Sequence, residues 1–432
     1  RVDIQAELYG HASHLREWQG RVYLKAGSVG LPALLAQYPL EGVRAGGVAD
    51  MRLWADVSST RVNMLRGEVD VSDFLLAHSG TAGSHQFIAD SVQGQFGLQR
   101  TTAGWKFALQ QLAISSGGRS WETEHLAFAV GEADGRTFLN GAAALINLDG
   151  LGGLLPVIPG LDTEIRTRFA QLQPRGVVRD LQVSLERQGD ITRLRRLAAR
   201  FSSVSWEQSG AIPHFSGLDG DVSGTFEAGV LTLRSRNAMF GDTRLFRGVL
   251  PIDTADGRIT WQQTDQRLEL ASEALRITNR DLALTANFAF DMPVQGAPAI
   301  NLMLDLEHAS LERVSYYLPA RKMPASGVAW LDRSLRAGVI RNGTVRVKGR
   351  LDQLPFDQGE GVLEVRLPVT QARLEYHPGW TAVTDLEAQV NFTGRAMDIT
   401  GHTGAIRSAG IEQVTARIKD LAKPELQILG DV

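Results

Sequence analysis

His11 and His14 are the first pair of residues whose type and spacing could do chemistry, because an HxxH on a helix turns two imidazoles toward one metal ion. No third ligand follows at a motif spacing, so the pair reads as surface residues. The stretch DGDVSG, Asp219 to Gly224, opens like a calcium loop, with oxygen donors at Asp219, Asp221 and Ser223. Its twelfth position is Val230, where a bidentate glutamate is required, and strand-like residues follow it, so it reads as a polar turn. Arg193, Arg195, Arg196 and Arg200 form the densest basic run. On a helix they could meet lipid headgroup phosphates, although a solvated face is the commoner use of such a run.

Other chemistries lack their usual signals. There is no P-loop, GxGxxG, HExxH or GxSxG, which removes the local marks of phosphate cradling, dinucleotide binding, zinc peptidases and nucleophile elbows. No catalytic residue and no metal or cofactor site can be assigned. Paired glycosidase carboxylates come from distant strands and leave no local motif, so a carbohydrate-active β protein stays open as a rival. Cysteine is absent, which excludes disulfides and thiolate chemistry. Lys plus Arg is 45 against Asp plus Glu 48, a formal charge of -3 that offers no bulk attraction for nucleic acid.

The elements that would position any site are mainly strands. Asp-Gly at Asp134, Asp149, Asp219 and Asp256, and Asn-Gly at Asn140 and Asn342, tolerate the positive φ of tight hairpin turns. Between them apolar and polar residues alternate, most clearly between Gly229 and Phe290, in VLTLRS, RITWQQ, RLELAS, LRITN and then LALTANFAFDM. Leu231/Leu233, Ile259/Trp261, Leu268/Leu270, Leu275/Ile277 and Leu282/Leu284/Phe288/Phe290 are then expected on one face. Val345/Val347, Leu363/Val365 and Val390/Phe392 continue it after Gly338, through TVRVKG, GVLEVRLPV, ARLEYH, LEAQVNFTG, AMDITG and VTARIKDL, and an earlier version runs from Met51 to Val130. Helical spacing is confined to LPALLAQY near Leu31, DITRLRRLAARF from Asp190, and Pro324 to Gly338, with Gly338 placed as the helix stop.

About 24 strands at about 4.8 Å spacing would extend a sheet on the order of 100 Å. With one apolar face it can stack as a sandwich, close into a barrel, or stay an open trough, and periodicity does not choose among them. A plain scaffold with packed sheets therefore remains an alternative. The longest oily run, Leu151 to Leu161, is 11 residues and broken by glycine and proline, whereas a membrane span needs roughly 20. The start at Arg1 and the end at Val432 after a strand-like run lead to the expectation of a piece of a longer protein, divided weakly into 1–200 and 201–432.

Tyr317 to Phe356 reads YLPARKMPASGVAWLDRSLRAGVIRNGTVRVKGRLDQLPF, and through Tyr317-Leu318-Pro319, Trp330-Leu331, Gly338, Gly349 and Pro355-Phe356 it resembles the YhdP-type branch of the AsmA-like envelope proteins. GRVYLKAGSVGLPALL with Leu53-Trp54, and the run from Phe201 through GLDGDVSG and LFRGVLPID into RITW, resemble the same family. Leu354 departs from it, standing where an aromatic often precedes Pro-Phe. The resemblance implies a mainly β fold, a long curved antiparallel sheet forming an open apolar groove with a few short capping helices. It also implies a periplasmic, non-enzymatic conduit for phospholipid between inner and outer membranes, held to the inner membrane by a segment outside this chain. The acyl chains would then meet the alternating apolar residues named above. Membrane proteins at the two ends are candidate partners.

Overall fold

Residues that alternate apolar and polar can bury one set only by holding an extended backbone, and the chain does so over most of its length. The computed structural model describes residues 1–11, 13–14, 17–37, 42–59, 61–80, 83–158, 163–189, 191–423 and 425–431. Two compact units emerge, one of residues 1–207 with 222–226 and one of 208–221 with 227–432. Among the described residues there are 23 strands, and the fold class is mainly β, antiparallel and open.

The first unit runs through β1 Val2–Tyr9, β2 Gln19–Gly30, helix α1 Leu31–Gln37, β3 Val43–Ser58, β4 Arg61–Gly80 and β5 Gly83–Arg100. It continues with β6 Gly104–Ser116, β7 Arg119–Ala133, β8 Arg136–Asn147, α2 Leu148–Leu154, α3 Thr163–Leu172, β9 Arg175–Gln188 and β10 Ile191–Trp206. β11, His214–Gly224, follows, with residues 214–221 in the second unit. The second unit then holds β12 Ala228–Gly241, β13 Leu250–Gln263, β14 Arg267–Thr278, β15 Leu282–Pro293 and β16 Ala299–Ser310. After α4 Val314–Tyr317 and α5 Ala325–Ser334 come β17 Leu335–Arg350, β18 Val362–Leu374, β19 Val383–Thr393, β20 Ala396–Ile406, β21 Ala409–Ile411, β22 Gln413–Ile418 and β23 Leu426–Asp431.

From β1 to β10, and again from β12 to β20, each strand pairs antiparallel with the next in the chain. β20 then pairs with β21 and β22, and β22 with β23. Among the described residues no ladder joins the first and last strands of either unit, so the sheet stays open.

These strands reach 20 residues, far beyond the usual five or six, and strict alternation does not survive such lengths. Bulges correct it. Opposite Met51 and Ala49, β2 uses Ala26 and Val29, with Ser28 at φ 54° as part of the extra step. Asp73, Gln111, Asp180 and Ser203 sit at equivalent shifts in β4, β6, β9 and β10, and Ala274, Asn342, Gln371 and Asp385 in β14, β17, β18 and β19, all with φ between 50° and 57°. Each absorbs one residue and bends its strand, returning the next apolar side chain to the same face. Two freed amides find side-chain acceptors, Ser28 N donating to Asp50 Oδ1 and Ala274 N to Asn287 Oδ1.

Several expectations need correction on this ground. RLELAS and LRITN are one strand, β14, interrupted by its bulge, and GVLEVRLPV and the start of ARLEYH are likewise one strand, β18. Asn342-Gly343 makes no hairpin: it is the bulge of β17, and a Cβ on Gly343 would stand 3.1 Å from Leu367 Cδ2 and 3.2 Å from Leu306 Cδ1. Asn140, Asp219 and Asp256 lie inside strands and Asp149 in α2, which leaves Asp134-Gly135 as the hairpin turn of that set. The arginine run from residue 191 is strand β10 and not a helix, because pairing with β9 overrides its helical spacing, while Asp190 lies outside the described residues. α5 ends at Ser334, before the expected stop, and Gly338 lies in β17 at φ 132°. α1 matches LPALLAQ, with Tyr38 outside the described residues, as are 159–161 of the oily run, whose earlier part forms α2 and a 3-10 turn, Leu155–Val157.

Inserting one residue after Ala274 should turn Leu275 and Ile277 to the wet face and cost about 2–3 kcal/mol for the lost burial of Leu275 alone, read as a lowered urea midpoint, whereas deleting Ala274 restores plain alternation and leaves both on the apolar face. Ala274→Gly keeps the bulge and relieves a left-handed alanine, so it should be neutral or stabilising by up to roughly 1 kcal/mol.

Candidate functional site

Residues opposite each other across a ladder share a face, so the register shows which apolar residues meet. Leu231 stands opposite Ile259, Trp261 opposite Leu270, Leu270 opposite Phe290, and Ile277 opposite Leu284. Phe290 continues to Ile300 and Phe288 to Leu302, which faces Val347. Val347 and Val345 face Leu363 and Val365, and Val365 faces Phe392. Leu233, Leu268, Leu275, Leu282 and Val390 fall on the same face by register. Every apolar residue singled out from the sequence is thus brought to one face of the second unit. Leu233, Leu275 and Leu282 are buried, and the others remain partly exposed.

The opposite face is marked by charge. Arg346 pairs with Glu364 at 3.8 Å, Arg417 with Asp398 at 3.1 Å, Arg236 with Asp256 at 2.9 Å and Arg276 with Glu307 at 2.8 Å. These exposed cross-strand pairs contribute little stability, but they fix which side is wet. Thr232 and Thr285 belong to it, opposite Arg258 and Arg276.

Both ends of the apolar face carry covers. At one end the segment Leu311–Tyr317 packs on the face, Leu311 joining the buried cluster with Leu282, Ala309, Ile340, Val369, Ala372 and Leu386, and Val314 and Tyr317 lying against it. At the other, the Phe356 ring folds back over the face where Gly349 and Gly361 leave room: a Cβ on either would stand 2.5 Å and 2.6 Å from ring carbons. Phe356 is only 6% exposed. Between these covers Trp261, Leu270, Phe290, Val347, Leu363 and Phe392 lie outside the buried cluster.

The residues behind the family resemblance build these covers. Tyr317 Oη donates to Asp281 Oδ2 at 2.9 Å and accepts from Asn279 Nδ2 at 3.0 Å. Asn279 also holds its own turn, its Oδ1 accepting from the amides of Asp281 and Leu282. Trp330 Nε1 donates to the carbonyl of Tyr376 at 3.2 Å. Arg247 latches the segment with a two-pronged pair to Asp332, at 2.6 and 3.0 Å, and a bond to the carbonyl of Ser315. Its guanidinium and that of Arg313 flank the ring of Tyr316. Burial, followed by its bond to Asp281, pushes the Tyr317 phenol up to about 12, while the guanidinium of Arg247 holds the Asp332 carboxyl below the usual range.

The first unit carries a comparable face whose residues were not singled out, although the same period-2 signal marks them. Leu24 faces Leu53, Phe96 faces Leu109, Leu109 faces Leu126, and Phe107 faces Phe128 with ring centroids 4.8 Å apart. There too one end is covered, by Leu154 and Val157 over Phe87, Ala89 and Ile114.

The remaining candidates disperse. Ser13 Oγ bridges His11 and His14, whose ring centroids are 5.9 Å apart. Asp219 and Asp221 lie in β11, not in a turn, where the Asp219 amide donates to Ser235 Oγ and Asp221 pairs with Arg234. Arg195 pairs with Glu186 and Arg200 with Asp180. Among the described residues no helix is long and apolar enough to cross a membrane.

An open antiparallel sheet with one partly exposed apolar face and covered ends defines the class of protein. The chain belongs to the YhdP protein family, whose profile matches residues 1–432. A curated relative, the intermembrane phospholipid transporter YhdP of Escherichia coli (strain K12), is 24% identical over 427 residues, covering 96% of this chain and 33% of the relative. The chain therefore spans about a third of the length of that relative. No solved structure gives a significant match.

Of the six tyrosines, one should ionise near 12 in an alkaline ultraviolet titration and be lost in Tyr317→Phe. Since its folded value is raised, its contribution to stability holds below about 10 and disappears as pH rises through about 12. Asp332 has the opposite sign: its contribution holds above the ordinary carboxylate range and is lost as pH falls through the lowered folded value. Thermal melts across acid pH should therefore fall more steeply for the native chain than for Asp332→Asn.

Proposed function

We propose that this chain is a section of a conduit along whose apolar face phospholipid acyl chains travel between the inner and outer membranes. The observation that carries the reading is the apolar row, held to one side across successive ladders yet left partly exposed between its two covers. A contiguous apolar row left partly exposed is the kind of surface that takes a ligand. The printed role of the E. coli relative, a transporter of phospholipid between membranes, supplies the cargo.

The barrier to moving a phospholipid through water is its acyl chains, at about 0.8 kcal/mol for each exposed methylene. An unbroken aliphatic and aromatic wall lowers that barrier at every step, while the headgroup stays in water. Varied Leu, Val, Ile and Phe without a strong polar anchor along the middle of the face suits passage better than retention. On this reading the protein is a non-enzymatic periplasmic component, anchored to the inner membrane in its full length, and the face corresponds to the lining of a groove.

A photoreactive amino acid at Leu270 or Val347 should crosslink to phospholipid in cells, and one at Thr232 or Thr285 should not. Crosslinks confined to the threonines would sink the face assignment. Leu270→Asp, outside the buried cluster, should keep the fold and stop lipid transfer; transfer at the native rate would leave only a scaffold.

A further inference from the structure

Where Phe356 covers its end of the apolar face, a cleft of about 660 Å³ opens beside it. Leu363, the last residue of the apolar row here, forms part of its wall, together with the charged residues Asp357, Glu364, Arg395, Lys419 and Asp420, of which Glu364 faces Arg346 at 3.8 Å. That volume lies within the roughly 300–1,000 Å³ of small-molecule sites.

The charges are arranged in both signs. Arg395 Nε donates to Asp357 Oδ2 at 2.6 Å, which ties the Phe356 loop to the β19–β20 turn. Leu421 N donates to the carbonyl of Arg395 at 2.9 Å, which joins the β22–β23 connection to that same turn. Asp420 is fixed by accepting from the amide of Ala422 at 2.8 Å. Lys419 makes no hydrogen bond or ion pair among the described residues. One cation without a partner and one carboxylate with lone pairs to spare therefore border a cleft that adjoins the apolar wall.

We infer that this cleft receives the zwitterionic headgroup of a phospholipid, its phosphate toward Lys419 and Arg395 and its ammonium toward Asp420 and Asp357, with the acyl chains leaving along Leu363. The inference rests on the lipid reading above and adds to it a place where headgroups are told apart. A purely anionic headgroup would satisfy the cations and leave the three carboxylates, Asp357, Glu364 and Asp420, opposed to it. A headgroup carrying both charges meets both sets.

The test uses the purified chain and vesicles of equal parts phosphatidylethanolamine, phosphatidylglycerol and diacylglycerol, with retained lipid counted by mass spectrometry after re-isolation. The native chain should retain phosphatidylethanolamine over phosphatidylglycerol by roughly fivefold, the size expected of an exposed charge pair. Lys419→Ala should lower both phospholipids by roughly fivefold with diacylglycerol unchanged, and Asp420→Asn should bring the two phospholipids toward parity. If native protein and both variants hold the three lipids in one ratio, the headgroup site is overturned while the acyl-chain reading stands. If the native chain retains no lipid of any class, both fall.

Discussion

The fold depends on a single constraint of register: across strands of up to 20 residues, apolar side chains must keep returning to one face. A one-residue slip would exchange that face for the charged one, with every cross-strand partner following. The bulges prevent it. In the second unit they link Leu268 and Leu270 to Leu275 and Ile277, and Val365, Leu367 and Val369 to Ala372 and Leu374, so the parity of the sequence changes where the side of the sheet does not. By bending each strand they also divide a unit into a packed part and an exposed part: Ile340, Ala372 and Leu386 lie on the packed side, and Val347, Leu363 and Phe392 on the other.

The covers follow from this division. A sheet one layer thick has no interior of its own, so the deepest burial appears where a helical segment returns onto it. Ile340 and Val157, the largest apolar side chains at 0% exposure, lie at such places, one in each unit. The polar contacts of the covers are aimed at chain turns and loops: Tyr317 at the turn between β14 and β15, Trp330 at the carbonyl beyond β18, Arg247 at the α4 and α5 segment itself. They position the covers without placing a polar group in the exposed row.

Much of this was legible in the residues. Period-2 alternation identified the strands and, for every apolar residue named, the face it occupies, because the ladder alignment needs only parity within each strand. Turn chemistry misled. Asn342 and Asp256 tolerate the backbone of a tight turn, but the first serves a bulge and the second extends through β13, where its carboxylate accepts from Arg236. The change of parity between Leu270 and Leu275 was visible as two short strands, since nothing local distinguishes a bulge from a turn. The arginine-rich stretch of β10 has helical spacing, and only its ladder with β9, a contact made through space, decides against it. The cleft beside Phe356 joins residues from three connections far apart in the chain, which no spacing rule could assemble.

Because almost every ladder joins neighbours in the chain, each newly formed strand offers its free edge to the one that follows, and no early segment waits for a distant one. Such a topology keeps the entropy of loop closure small at every step. The polypeptide can therefore settle strand by strand in order of its emergence, as a zipper closes, with a single unsatisfied edge moving ahead of the finished part.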